Sequence, residues 1–174
     1  MINYTIRKVN EEDVIQLQEI SRTTFSETFV EHNTEEDLNN YLANQLSIEK
    51  LLEEINNLHS AFYFVSESEK LVGYLKLNWS IAQTELIDEA AFEIERIYIR
   101  KEYFGKGLGQ ILLDHAITIG KAQHPTYIWL GVWELNTRAI RFYEKNGFKV
   151  FSSHLFTLGN DIQTDLLMKL EITS

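Results

Sequence analysis

Three closely spaced glycines at the start of a predicted helix constrain this chain more than any other feature. Gly105, Gly107 and Gly109 follow an apolar, strand-like run and precede an amphipathic helical pattern. Glycine allows left-handed backbone conformations and the close approach of a ligand, and the first N–H groups of a helix are free to bind an anion. The spacing differs from the Rossmann fingerprint, and the segment lacks the Gly-Lys-Ser/Thr ending of a P-loop. It predicts a phosphate-binding turn of another kind, with a merely flexible turn as the alternative.

A second glycine-bearing segment, residues 136–148, predicts a short helix with a sharp end. Ala139, Phe142 and Tyr143 follow at helical spacing on one face. Asn136 is a typical N-cap residue, and Gly147 is suited to ending the helix in a left-handed conformation. An apolar helical face of this kind is ordinarily packed in a core, so the spacing alone leaves open whether Tyr143 packs or reacts.

Together the two segments resemble the GNAT superfamily of acetyl-CoA-dependent N-acetyltransferases. The pyrophosphate loop of that family reads Gln/Arg-x-x-Gly-x-Gly/Ala, and residues 104–109 match it except that Phe104 replaces the first polar residue. The later family signature, Asn-x-x-Ala-x-x-Phe-Tyr-x-x-x-Gly-Phe, is matched at every fixed position of residues 136–148. The chain further resembles, nearly end to end, the PaiA-type spermidine/spermine acetyltransferases of Gram-positive bacteria, notably in residues 93–99, 128–134 and 163–166.

The order of the predicted elements indicates a mixed α/β (α+β) fold. Strand patterns occupy residues 4–9, 61–66, 71–79, 92–100, 127–132, 149–158 and 164–171. Helical patterns begin at the acidic residues 11–13, at the caps Thr34 and Ser47, at Leu108 and at Asn136. The GNAT resemblance implies a central mixed, mostly antiparallel sheet with a parallel splayed strand pair and helices on both faces. We expect a single domain over residues 1–174.

Charge and composition narrow the classes of function. The net charge is −10, and residues 1–99 carry 7 Lys/Arg and 19 Asp/Glu, whereas residues 100–174 carry 9 and 7. An acidic half argues against a nucleic acid partner and favours a cationic one, with a merely soluble acidic surface as the alternative. The chain has no cysteine, no apolar run of the roughly 20 residues that cross a membrane and no signal-peptide pattern. We therefore expect a cytoplasmic protein without a membrane partner.

The resemblance implies acetyl-CoA as the cofactor and indicates which residues hold it. The pyrophosphate would be bound by Phe104, Gly105, Lys106, Gly107, Leu108, Gly109 and Gln110, with Arg100 adding charge. The pantetheine arm would pair with the main chain of Ile97, Tyr98 and Ile99 as an added strand does, and the N–H of Ile97 would polarise the thioester carbonyl. Asn136 would bind the pantetheine arm, and Arg138 and Arg141, near the same helix start, would contact either a phosphate or solvent. The Tyr143 hydroxyl would protonate the departing thiolate.

Two acidic residues, Glu93 and Glu95, interrupt an otherwise apolar strand. Carboxylates in such a strand are costly to bury without a partner. By regular alternation they share a face with Ile97 and Ile99, while Arg96 lies on the other face and is not an evident ion-pair partner. Because an ammonium group must lose a proton before it attacks a thioester, either glutamate is a candidate general base. The family alignment favours Glu93, whereas the strand position places Glu95 closer to the thioester.

The combined prediction is an N-acetyltransferase acting on a cationic small-molecule amine, most simply a polyamine. Trp129 and Trp133 share a strand face, and aromatic rings suit the aliphatic stretches and amines of such a chain, with core packing as the alternative. The histidines show no metal-ligand spacing, so no metal is predicted. Acetylation of a peptide or protein amine, and a non-catalytic acetyl-CoA-binding regulator, are the alternatives. A homodimer is left open.

Overall fold

A computed structural model describes residues 2–173 as strands and helices arranged around one sheet. The strands are β1 (Tyr4–Lys8), β2 (Ser60–Glu67), β3 (Lys70–Trp79), β4 (Phe92–Ile99), β5 (Tyr127–Trp133), β6 (Lys149–Leu158) and β7 (Asp161–Glu171). The α-helices are α1 (Val14–Phe29), α2 (Glu35–Gln45), α3 (Ile48–Ile55), α4 (Leu108–Ala122) and α5 (Thr137–Lys145). The predicted elements are present, but the acidic segment Glu11–Asp13 forms a 3₁₀ turn and α1 begins after it.

The seven strands form a single sheet in the order β1-β2-β3-β4-β5-β7-β6. Neighbouring strands are antiparallel except β4 and β5, which run parallel and are connected through α4. Within the described chain this parallel pairing is brief, since it joins only Phe92 to Ile128 and Glu93 to Trp129. Beyond Glu93 the two strands diverge and open a gap in the middle of the sheet. This topology confirms the predicted mixed sheet with a splayed parallel pair.

Helices cover both faces of the sheet and bury two apolar cores. On one face α4 and α5 pack against the strands through side chains such as Leu112 and Tyr143. On the other face α1, α2 and α3 pack through side chains such as Leu17, Leu38 and Leu51. Burial of a leucine side chain contributes roughly 1.5–3 kcal/mol to folding. Packed elements therefore surround the gap between β4 and β5 on both faces.

A β-bulge in β4 sets the direction of the side chains along this gap. Lys76 of β3 is paired with Arg96, but the next residue of β3, Leu77, is paired with Ile94. Glu95 is therefore an extra residue opposite a shorter stretch of β3. Such a bulge bends the strand and redirects the side chains around it.

The bulge overturns the predicted alternation along β4. Ile97 and Ile99 pack with the core beneath α4, while Glu93 and Glu95 both bind one side chain of β3. Arg96 was expected to face away from Glu95, but its Nη2 lies 3.4 Å from Glu95 Oε1. The prediction fails here because one extra residue changes the face of every side chain that follows it.

Candidate active site

A cavity of about 400 Å³ occupies the gap between the diverging strands. It is a size typical of small-molecule sites. Most of the predicted cofactor residues line it, namely Ile97, Tyr98, Ile99, Phe104, Gly105, Gly107, Leu108, Gly109, Gln110, Asn136, Arg138 and Tyr143. Lys106 is not among the lining residues, since its Nζ lies over the ring of Tyr103, 4.6 Å from the ring centre. Arg100 lines a separate hollow beside α1.

The glycine turn before α4 presents backbone donors to open space. Gly105 and Gly107 adopt left-handed conformations, with φ of +77° and +84°. The first N–H groups of α4 have no acceptor within the helix. Gly107, which precedes the helix, has no side chain that could accept a hydrogen bond from them. A Cβ at either glycine would meet no heavy atom within 4 Å. The turn therefore combines free donors, the positive end of a helix dipole and room for an anion.

A cation–π pair stands where the family motif has its first polar residue. Phe104 is 45% exposed, and the guanidinium carbon of Arg138 lies 4.0 Å from the centre of its ring. Arg138 belongs to the first turn of α5, so the pair connects the two glycine-bearing segments. The ring holds a permanent positive charge at the cavity wall.

The start of α5 holds Tyr143 against the cavity. Asn136 caps the helix, because its Oδ1 accepts a hydrogen bond from the N–H of Ala139 at 3.2 Å. Tyr143 is 7% exposed, and its ring packs on those of Phe142 and Phe148. Burial raises the pKa of the Tyr143 hydroxyl. This phenol therefore stays protonated at neutral pH and is available as a donor.

Glu95 lines the cavity and forms ion pairs with two cations. Its carboxylate contacts Lys76 Nζ and lies 3.4 Å from Arg96 Nη2. Glu54 of α3 binds both cations, since its Oε1 lies 3.0 Å from Lys76 Nζ and 3.0 Å from Arg96 Nη2. Burial acts to raise the pKa of Glu95, but Arg96 and Lys76 outweigh it and lower that pKa to about 2. Glu95 is consequently ionised and a weak proton acceptor.

Glu93 lies behind Glu95, and its hydrogen-bond donors among residues 2–173 are all neutral. It is 2% exposed and is not a cavity-lining residue. Its Oε2 accepts from Asn78 Nδ2 at 3.0 Å and from the N–H of Thr84 at 2.8 Å, and its Oε1 accepts from the Thr84 hydroxyl. Burial, followed by the charge of Glu95, raises the pKa of Glu93, against the opposing effect of these hydrogen bonds. Glu93 is thus a stronger proton acceptor than Glu95.

Aromatic side chains form another part of the cavity wall. Phe29 of α1 and Trp133 of β5 both line it, with ring centres 5.7 Å apart. His32 packs edge-on against Trp133, 4.8 Å away. Trp129, by contrast, is a core residue, 2% exposed, whose Nε1 donates to Gln83 Oε1 at 2.8 Å. Of the two tryptophans only Trp133 reaches the cavity.

Several lining residues were missed in the sequence because their patterns are those of ordinary core positions. They are Thr28, Phe29, Ile94, Tyr103, Leu130, Gly131 and Val132. Phe29 continues the apolar stripe of α1, and β5 is apolar on both faces. Gly131 could have been predicted as a lining residue, since a glycine within a strand often marks a place where a ligand or another backbone comes close.

Comparison with known proteins identifies the family. Residues 15–148 match the model of the Acetyltransferase (GNAT) family. The chain belongs to the GNAT family. The match includes both glycine-bearing segments and the strands that border the cavity. This GNAT protein is therefore an N-acetyltransferase that depends on acetyl-CoA.

Individual relatives of this GNAT enzyme extend over most of its length. It is 41% identical over 169 residues to an uncharacterized N-acetyltransferase of Lactobacillus delbrueckii subsp. lactis, covering 97% of this chain and 98% of the relative. It is 32% identical over 149 residues to the spermidine N(1)-acetyltransferase of Thermoplasma acidophilum, covering 83% and 88% of the two chains. It also resembles the crystal structure of the PaiA N-acetyltransferase of Thermoplasma acidophilum in complex with coenzyme A, with a TM-score of 0.79, 30% identity and coverage of 98% and 99%.

Two further properties of residues 2–173 bear on function. No helix in this part of the GNAT enzyme is long and apolar enough to cross a membrane. The same residues contain no group of three or more His, Cys, Asp or Glu side chains arranged to hold a metal ion.

Proposed function

We propose that this GNAT enzyme acetylates a terminal amine of a polyamine such as spermidine by direct attack of that amine on the thioester. The carrying observation is the cavity wall, which contains the aromatic pair Phe29 and Trp133. An aliphatic chain packs on aromatic rings, and its ammonium groups are attracted to ring faces. The similarity to a spermidine N(1)-acetyltransferase supports the same substrate class.

The residues that line the cavity fit acetyl-CoA. In this proposal, the N–H groups at the glycine turn hold the pyrophosphate, and Arg138 adds a positive charge beside it. The main chain of residues 97–99 holds the pantetheine arm. When bound, acetyl-CoA supplies an activated acetyl thioester. Tyr143 holds a proton at its hydroxyl for the departing thiolate, which its burial and raised pKa support.

Glu93 is the general base in this proposal, and Glu95 is not. Glu95 borders the cavity, but its ion pairs with Lys76 and Arg96 make it a poor proton acceptor. Glu93 has the raised pKa, and it shares a hydrogen-bond donor with Glu95. In this proposal, a proton from an amine beside Glu95 passes to Glu93 through bridging water.

Negative charge near the cavity supports a cationic acceptor. Asp165 of β7 is the cross-strand neighbour of Trp133, and its Oδ2 lies 3.9 Å from the position that a Cβ would take on Gly131, a lining residue. The first 99 residues contribute 19 acidic side chains against 7 basic ones. A field of one sign raises the local concentration of the oppositely charged substrate.

The test is an acceptor panel assayed by thiol release from acetyl-CoA. We expect kcat/KM to be highest for spermidine or spermine, lower for a neutral N-terminal peptide, and lowest for acidic amines. With spermidine, kcat/KM should fall as salt rises, because charges more than about 8 Å apart are screened at physiological ionic strength. A Trp133→Leu variant should raise the KM for spermidine and leave the KM for acetyl-CoA nearly unchanged.

Either of two outcomes would refute the proposal and support an alternative function. Faster turnover of the neutral peptide, without salt dependence, would assign the enzyme to peptide or protein amines. Tight acetyl-CoA binding with no turnover of any amine would make the protein a regulator that senses the cofactor.

A further inference from the structure

One buried amide connects the two glutamates of β4. Asn78 of β3 is fully buried, and its Nδ2 donates to Glu93 Oε2 at 3.0 Å and to Glu95 Oε2 at 2.8 Å. The amide nitrogen has two hydrogens, so each carboxylate receives one. Two acidic groups are thereby held close together, with Glu93 buried and Glu95 at the cavity wall.

The orientation of this amide is fixed from its other end. Asn78 Oδ1 accepts a hydrogen bond from the hydroxyl of Ser60, at 2.8 Å, and Ser60 is itself buried. The opposite orientation would point the amide oxygen at both carboxylates, so that three acceptor oxygens would face one another with no donor between them, which is costly in a buried site. Asn78 therefore has a single favourable orientation, in which its nitrogen faces Glu93 and Glu95.

The charged groups around this pair give the two glutamates different roles. Lys76 from β3, Arg96 from β4 and Glu54 from α3 form an ion-pair network with Glu95. That network keeps Glu95 negative. Glu93 has no cation among its hydrogen-bond partners in the described chain, and its contact with the segment before β4 is through the neutral Thr84. A fixed negative charge next to Glu93 disfavours its ionised form.

We propose that Asn78 and Glu95 are positioning residues for Glu93, in which Asn78 fixes the place of the carboxylate and ionised Glu95 increases its affinity for a proton. The inference rests on the proposed function, in which Glu93 is the general base. The two residues act in opposite directions: the Asn78 hydrogen bond stabilises ionised Glu93, and the Glu95 charge destabilises it. The balance between them determines the pH above which Glu93 is ready to accept a proton.

Two substitutions should move the acid limb of the pH profile in opposite directions. Asn78→Ala removes a charge-assisted hydrogen bond that stabilises ionised Glu93. The acid limb of kcat/KM should therefore move to higher pH by about one unit. Glu95→Gln removes the repelling charge and leaves Lys76 and Arg96 less compensated, so the limb should move to lower pH while turnover persists. Asn57→Ala, the same substitution at an exposed position, should leave the profile unchanged.

A spectroscopic titration provides a readout that does not depend on activity. Infrared difference spectra between each protein and its Glu93→Gln counterpart, recorded without acetyl-CoA, isolate the protonated carboxyl band of Glu93. Its titration midpoint should move as the kinetic limb does. If Asn78→Ala does not fold, Asn78→Ser and Glu95→Gln still test the inference.

The outcomes separate this inference from the function on which it rests. An acid limb that survives in Glu93→Gln would refute Glu93 as the base, while the infrared midpoints would still test its positioning. Midpoints that stay at the wild-type value in folded Asn78 and Glu95 variants would overturn the positioning inference. Loss of the acid limb and collapse of kcat in Glu95→Gln, with normal behaviour of Glu93→Gln, would make Glu95 the base and overturn both.

Discussion

The glycine turn offers the sharpest test of the cofactor site, because the chain contains a matched control. Gly107 and Gly147 both adopt left-handed conformations at a helix end, with φ of +84° and +91°. A Cβ at Gly107 would point into open space in the cavity wall, whereas one at Gly147 would lie 3.2 Å from the Cδ1 of Leu170. Substitution by alanine therefore imposes similar backbone strain at two places, only one of which borders the proposed phosphate site.

The expected magnitudes follow from that geometry. A non-glycine residue in the left-handed region costs roughly 1–2 kcal/mol, so both Gly107→Ala and Gly147→Ala should lower the free energy of unfolding by about that amount. Only Gly107→Ala adds a methyl group where the pyrophosphate would meet the helix. Losing one charge-assisted hydrogen bond costs about 1.5–3 kcal/mol, which corresponds to a roughly 10- to 100-fold higher Kd for coenzyme A.

The assay combines two measurements on each purified variant. Urea unfolding gives the free energy of unfolding, and titration calorimetry gives the Kd for coenzyme A under conditions where each variant is folded. Unchanged affinity in folded Gly107→Ala would refute the assignment of the phosphate site. An equal loss of affinity in Gly147→Ala would show that backbone strain, and not the phosphate site, is responsible.

Two further predictions concern Tyr143 and the buried cation Lys76. Tyr143→Phe keeps the packing of the ring and removes only the hydroxyl, so kcat measured by thiol release should fall roughly 100-fold with little change in the Kd for coenzyme A; wild-type turnover would make Tyr143 a packing residue. Lys76→Met breaks a buried ion pair and should lower the free energy of unfolding at pH 7 by about 3 kcal/mol, whereas Lys70→Met, at an exposed pair, should change it little. Because the pKa of Glu95 is lowered from 4.5 to about 2 in the folded state, its pairing stabilises the fold above pH 4.5 and is lost as the pH falls toward 2. The difference between Lys76→Met and wild type should shrink across that window, and a pH-independent difference would contradict the ion-pair explanation.

The features of this enzyme that can be predicted from its sequence are those whose physical requirements are local. A left-handed turn before a helix needs glycine, and Gly105 and Gly107 occupy such conformations. The helices α2 and α3 begin where Thr34 and Ser47 accept hydrogen bonds from the backbone three residues later. The GNAT fold, the acetyl-CoA dependence and the splayed strand pair could be predicted because these contiguous signals match those of the family.

The part of the cavity proposed to bind the acceptor amine is harder to predict from the sequence, because it is assembled from distant segments of the chain. Phe29 and Trp133 are 104 positions apart in the sequence and become neighbours only because the fold brings the last residue of α1 beside the last residue of β5. Trp133 is one of the two tryptophans that the sequence predicts as aromatic contacts for the amine chain, whereas Phe29 has the pattern of an ordinary core residue and gives no signal of a cavity. Likewise, the Arg138 contact with Phe104 depends on how α5 docks beside the glycine turn.

The sequence by itself determined that two glutamates stand in β4 and that a glycine turn before a helix follows, since both are properties of a continuous stretch of chain. Only the tertiary structure decided which glutamate is paired with cations. The bulge at Glu95 reverses the alternation, so that Lys76 of β3 and Arg96 of β4 both pair with Glu95, while Asn78 joins it to Glu93. Glu54 of α3 binds the same two cations. The proton affinity of a carboxylate depends on charges within a few ångströms in space. Lys76 and Glu54 lie far from Glu95 along the chain, and the bulge decides on which side of the strand the adjacent Arg96 lies.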